Sequence, residues 1–176
     1  MERLSEQTML TQGEYVMYNG LKLCRFDGVF KKKFDGLNEK TYYKLTPSDN
    51  ESSVYYVSQD KIDEKIRKLH TKDEVYSIID SMPDIEPVWY DNNNERKMAF
   101  QSLLKSNDYK SLILIIRSVY IHSKHQSELG KKTSAVDETV MKTAENIIYQ
   151  EFSHVLGITV SEVKDFISER LDDQNI

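Results

Sequence analysis

The stretch W-Y-D-N-N-N-E-R-K-M-A-F-Q-S-L-L-K-S-N-D-Y-K-S-L-I-L-I-I-R-S-V-Y, from Trp89 to Tyr120, decides the fold. It predicts two helices joined by a tight corner at Ser106-Asn107-Asp108. Before the corner, Met98, Ala99, Leu103 and Leu104 share an apolar face; after it, Leu112, Ile115, Ile116 and Val119 keep the i, i+3, i+4, i+7 spacing of a buried stripe. Asp108 can accept from the first free amides of the second helix and suits its positive end. Ile113 and Leu114 widen the apolar face, so this helix is expected at the centre of a helical domain. The chain's single tryptophan stands at the entrance, in a polar, loop-like context.

Working outward, the residues before this stretch change period. Tyr15-Val16-Met17-Tyr18 is β-prone and closed by the turn pair Asn19-Gly20. Leu21 to Phe34 is a second extended run, interrupted at Asp27-Gly28, and Asp35-Gly36 marks another turn. Thr41 to Leu45 is a third strand, stopped by Pro47, and Ser53 to Val57 a fourth. Short strands at this spacing predict a small barrel or strongly bent sheet. Toward the C-terminus, Thr71-Lys72-Asp73-Glu74 and Thr159-Val160-Ser161-Glu162 are capping boxes. The first leads a helix with Val75, Ile78, Ile79 and Met82 on one face, the second one with Val163, Phe166 and Ile167. Between them, Pro83 and Pro87 bracket a connector, and 124–132 reads as a polar loop. Ser134 caps a long helix facing inward with Val140, Ala144, Ile147, Ile148, Phe152 and Val155, and Gly157 ends it. The tail from Asp172 is expected to fray. The expected class is therefore α+β: a small β-rich part over 1–65 and a compact all-helical part over 66–176, with the break between Ile62 and His70.

Composition narrows the function classes. Of the 176 residues, 39% are hydrophobic and 30% charged, which suits a soluble globular protein. No apolar run is long enough to span a bilayer, and Met1 to Thr8 lacks a basic-then-apolar leader pattern. One cysteine, Cys24, excludes an internal disulfide framework and suits a reducing compartment, so a cytoplasmic protein is expected. The net charge of −5 speaks against a protein whose main task is coating nucleic acid, though not against a local basic patch. There is no phosphate-binding glycine pattern. His122 and His125 stand one helical turn apart without an evident third ligand, so no metal, cofactor, catalytic residue or small-molecule substrate is expected.

Two groups of residues invite a binding role. Tyr42, Tyr43, Tyr55 and Tyr56 alternate across a sheet, leaving one of each pair outside, where it either packs on neighbouring strands or offers a contact surface of the aromatic kind enriched at interfaces. Trp89 has little nearby to bury it, and is followed by Arg96 and Lys97; Lys131, Lys132 and Lys142 could lie close in a compact helical domain. An aromatic wedge beside cations suits a distorted or opened duplex, while the plain alternative is that Trp89 packs in a core.

The ordered set is what carries a resemblance. V-M-Y-N-G-L-K-L-C-R-F, T-Y-Y-K-L-T-P and S-V-Y-Y-V-S-Q-D are followed by R-K-L-H-T-K-D-E, an isolated Trp, F-Q-S-L-L-K-S-N-D-Y-K-S-L-I-L-I-I-R-S-V-Y and A-E-N-I-I-Y-Q-E-F-S-H-V-L-G-I. From about Gly13 to Leu171 the chain resembles the CarD/CdnL family of bacterial transcription regulators. The first part resembles the polymerase-interacting module shared with the transcription-repair coupling factor. Two places depart from the family pattern: Glu95 is acidic where a basic residue is common, and the fourth strand ends Tyr56-Val57-Ser58.

The resemblance implies a Tudor-like β-barrel that docks on the β subunit of RNA polymerase, with Lys32, Val54, Tyr55, Tyr56 and Val57 as the contact strand and its flank. It implies a helical domain that reaches promoter DNA at the upstream edge of the melted region, with Trp89 as the wedge and Arg96, Lys97, Lys131, Lys132 and Lys142 as its basic surround. The expected function is modulation of open-complex stability by a non-enzymatic protein. The alternative is an adaptor whose helical domain binds a protein and not DNA.

Overall fold

The computed structural model describes residues 10–173 apart from Asp35, Leu37 and Asn107. The expected leaderless N-terminus, the first residue of the Asp35-Gly36 turn, the middle of the Ser106–Asp108 corner and the end of the fraying tail lie outside the described residues. The protein is α+β and divides after Leu69 into two compact units.

The first unit holds β1 (Tyr15–Tyr18), β2 (Lys22–Lys32), β3 (Lys40–Pro47) and β4 (Tyr55–Ser58), then a 3₁₀ turn (Gln59–Lys61), a one-turn helix α1 (Ile62–Lys65) and β5 (Ile66–Lys68). The Asn19-Gly20 pair turns β1 into β2 with both residues at positive φ, 49° and 62°, and Leu21 N–H donates to the Tyr18 carbonyl. The interruption at Asp27-Gly28 is a bulge inside one long strand, because the register with β3 skips a residue there. The strands form one antiparallel sheet in the order β4-β3-β2-β1-β5. This sheet is open, and the expected barrel closure is not made. β4 and β5 are its edges, and the helical turn α1 between them in sequence touches both. Ile62 of α1 enters the core with Val16, Cys24, Phe26, Tyr43, Leu45 and Val57. A helical side chain is thus part of the core of this sheet. Ile66–Lys68, expected with the helical part, pairs with β1 and belongs to the sheet.

The second unit is helical: α2 (Lys72–Ser81), a 3₁₀ turn (Met82–Asp84), α3 (Asn93–Lys105), α4 (Tyr109–Glu128), α5 (Ala135–Leu156), a 3₁₀ turn (Val160–Glu162) and α6 (Val163–Asp173). Both capping boxes form, at Thr71/Glu74 and Thr159/Glu162. Asp108 accepts from Ser111 N–H at 2.8 Å and Ser134 from Val136 N–H at 3.3 Å. Gly157 ends α5 at φ 71°, a conformation that suits a residue without Cβ. Leu112, Ile113, Ile115 and Val119 of α4 are buried, as are Ala144, Ile147, Ile148 and Phe152 of α5 against which it packs. Among the described residues no helix is long and apolar enough to cross a membrane.

Two expectations are corrected. α4 runs on to Glu128, through most of the segment read as a polar loop, because Lys124, His125, Gln126 and Glu128 make a solvated helix end with no breaker before Gly130. The inward face of α3 is not led by Met98, which is 72% exposed, but by Arg96 and Phe100, 5% and 1% exposed. A charged residue occupies the inward position one turn before Phe100, so the apolar pattern of this helix appears out of phase.

Candidate functional site

In the first unit, among the described residues, the outer side of β4 is an unpaired edge. Tyr55 stacks on Tyr18 at 4.9 Å and Val57 is in the core, so both turn inward. Tyr56 turns outward, its hydroxyl accepting from Lys32 Nζ at 2.7 Å while the ammonium sits 4.0 Å from the ring centre. Phe34 meets Tyr42 and Tyr56 edge-on at 4.9 and 5.3 Å and is 59% exposed. Val54 is exposed just ahead of the strand, and Phe30, beside Lys44 on the same face, is also exposed. Of the expected contact residues, the structure brings Lys32 and Tyr56 together; Tyr55 and Val57 offer only their backbone and flank. Phe30 and Phe34 were missed, although alternation with Tyr42 and Tyr56 would have placed them on the outer face.

The same face carries a charged knot at the bulge. Asp27 accepts from Thr46 Oγ1 at 2.6 Å and Arg25 Nε at 2.9 Å, with Lys44 Nζ at 3.5 Å. Burial acts to raise its pKa, but these hydrogen bonds and cations outweigh it and hold the carboxyl below its usual range.

In the second unit, Trp89 is half-buried in the connector ahead of α3. The connector is pinned to α4 by Val88 N–H donating to Ser118 Oγ at 2.9 Å. The indole lies parallel to the His122 imidazole, 3.5 Å between centres and 9° between planes. The Arg96 guanidinium sits 4.3 Å from the indole centre, and Phe100 meets it edgewise at 6.4 Å. Arg96 is itself committed: it donates to both carboxylate oxygens of Asp137 at 2.9 Å, to Asn93 Oδ1 at 2.8 Å and to the Tyr90 carbonyl at 2.6 Å. It therefore arranges the loop that carries Trp89, and is not a free cation for a phosphate. Burial, then the nearby Arg96 charge, lowers the His122 pKa, so the imidazole is neutral at neutral pH.

Lys97 is exposed on the rim of a groove of about 210 Å³ between α3 and α5, walled by Phe100, Leu104, Val136 and Val140. Lys131 and Lys132 are exposed between α4 and α5, and Lys142 is exposed on α5. The residues the structure actually brings to the indole are His122, Arg96 and Phe100. From sequence, His122 reads as a solvated residue at a helix end or one ligand of a metal pair; among the described residues no cluster of ligating side chains could hold a metal.

Another missed group is Glu151, fully buried. It accepts from His70 N–H at 2.8 Å, pairs with His70 Nδ1 at 2.9 Å, and accepts from the Tyr109 hydroxyl. This ties the approach to α2, the first residue of α4 and the last third of α5 together. A signal existed: Glu151 falls on the inward stripe of α5, one turn after Ile147 and Ile148. No protein-family model matches the chain, and none of the curated proteins does.

Proposed function

We propose that this chain is a non-enzymatic transcription regulator of the CarD/CdnL type, acting in the bacterial cytoplasm. It docks on the β subunit of RNA polymerase through its sheet and contacts promoter DNA through its helical unit, altering the lifetime of the open complex. In this reading the sheet is a Tudor-like module whose closure is replaced by α1. The observation that carries the proposal is the β4 edge, unpaired among the described residues, beside the face formed by Lys32, Phe34 and Tyr56. An edge strand supplies backbone pairing to a partner strand, and the neighbouring side chains set register. The half-buried Trp89 at the entrance to α3 supplies an aromatic group for the upstream edge of melted DNA.

Co-purification with bacterial RNA polymerase tests the first contact: retention of the intact chain supports it, and no retention overturns it. The second reading, an adaptor whose helical unit binds a protein, is favoured by the commitment of Arg96 to Asp137 and by the net charge of −5. A salt titration of binding to a forked promoter fragment separates the two, because phosphate contacts make affinity fall steeply with salt.

A further inference from the structure

The walls around Trp89 constrain how it can be used. A stacked plane at 3.5 Å is at van der Waals contact, so the imidazole covers the part of one indole face that it overlies. A guanidinium 4.3 Å from the same centre would collide with that imidazole if it shared the face. The two therefore lie on opposite faces, and Phe100 meets the edge. Among the contacts described, none of these three groups covers the rest of the rim, and Trp89 is half-buried. The Arg96 wall is fixed by its paired bonds to Asp137 and by the bonds to Asn93 and Tyr90. The His122 wall is fixed by its place on α4, the longest element packed against α5.

Resting on the DNA-contact reading above, we infer that His122 is a positioning residue for Trp89. Its imidazole, opposite the pinned Arg96, holds the indole so that it meets opened DNA with its rim and does not stack a base on its face. Holding the ring in advance lowers the ordering cost of inserting it, which is how preorganised contacts gain affinity. The wall on this side must be a flat ring; its proton is not needed.

The experiment uses the full chain with His122→Phe and His122→Ala, both checked for helicity. Trp89 is the only tryptophan, so its emission reports on this site alone. In the free wild type, acid should quench that emission as His122 protonates, and the transition should be absent in His122→Phe. The groups that set its midpoint are Arg96 on α3 and His125 on α4, which oppose the proton, and Asp137 on α5 and Asp91 in the connector, which favour it. An emission that ignores acid in the wild type overturns the stack.

Binding to forked and fully paired promoter fragments completes the test. His122→Ala should weaken forked binding roughly tenfold, the scale of one stacking contact, with paired binding unchanged, and His122→Phe should restore it. Tighter forked binding in His122→Ala would mean that an uncovered face stacks a base, and the inference fails. Equal binding by all three also overturns it. Failure of the DNA-contact reading is seen separately, in the wild type alone: no preference for forked over paired DNA removes that reading, and this inference with it.

Discussion

The Arg96 guanidinium donates to both carboxylate oxygens of Asp137, each at 2.9 Å, across 41 residues of sequence. Both side chains are almost fully buried, so this is not a surface pair. It joins the first turn of α3 to the first turn of α5, where a carboxylate also suits the positive helix end. Through the Tyr90 carbonyl the same guanidinium holds the tryptophan loop.

Removing one partner of such a pair strands the other charge. Asp137→Ala should therefore destabilise the helical unit by about 3–5 kcal/mol, whereas replacing both partners by apolar residues of similar volume should cost much less. Urea unfolding of the two single variants and the double variant measures this. A loss for Asp137→Ala of under about 1 kcal/mol, the range of an exposed pair, would mean that the bond is not formed in solution.

Glu151 makes a related prediction with a different partner set. Glu151→Ala leaves the Tyr109 hydroxyl and the His70 amide without the acceptor they share, each costing about 1–3 kcal/mol when buried. Glu151→Gln keeps an acceptor oxygen and should recover part of that loss. Thermal melts followed by helical circular dichroism compare them; equal melting temperatures for the Ala and Gln variants would count against the hydrogen-bonded arrangement.

On the sheet, Tyr56→Glu places a charge beside Phe34 at the β4 edge while leaving the inward Tyr55 and Val57 untouched. The sheet should stay folded and retention on RNA polymerase should fall by about tenfold or more, the loss expected of an aromatic anchor worth at least 1–2 kcal/mol. Phe34→Ser should act in the same direction. If both variants are retained like wild type, the docking face lies elsewhere on the sheet.

Acid should weaken the helical unit through two histidines. Burial is the leading cause that lowers the pKa of both His122 and His154. Below the ordinary histidine value of about 6.5, the unfolded chain then binds more protons than the folded one, so stability falls as pH drops toward the lower folded values. Urea midpoints at about pH 7.5 and about pH 5.5 should show this loss, and His122→Phe should reduce it. A stability that rises on acidification would reverse the sign and contradict the burial of these rings.

Local rules were enough for much of this fold. The caps at Thr71, Asp108, Ser134 and Thr159 and the stop at Gly157 were legible because each is a short-range bond between a side chain and nearby backbone. What escaped depends on residues distant in sequence. Arg96 read as part of the basic surround of Trp89 because its partner is on α5, and Glu151 drew no reading because His70 and Tyr109 come from other segments. The sheet stays open with Ile62 of α1 in its core, which the alternation of the strands does not encode. For Trp89 the sequence left two extremes, a core residue or a bare wedge. The structure gives a half-buried ring with a histidine thirty-three positions later stacked on it and the Arg96 guanidinium 4.3 Å from its centre.

That arrangement changes what Trp89→Ala should do. A fully buried tryptophan costs about 3–5 kcal/mol on truncation, and an exposed one almost nothing. Half-buried between His122 and Arg96, Trp89 should cost roughly 1.5–2.5 kcal/mol, a visible but incomplete destabilisation, since each aromatic contact adds about 0.5–1.5 kcal/mol beyond burial. Trp89→Phe keeps a ring between the two walls and should recover most of this stability. The DNA contact should not recover with it, because the smaller ring has a shorter rim. Open-complex lifetime, measured beside the thermal melt, should therefore fall for both variants while the melting temperature falls clearly only for Trp89→Ala. Retention on RNA polymerase should be unchanged in both, because the sheet edge is untouched. If lifetime and melting temperature fall in proportion across the two variants, Trp89 acts only by holding the helical unit together. Its assignment as a DNA contact would then be wrong.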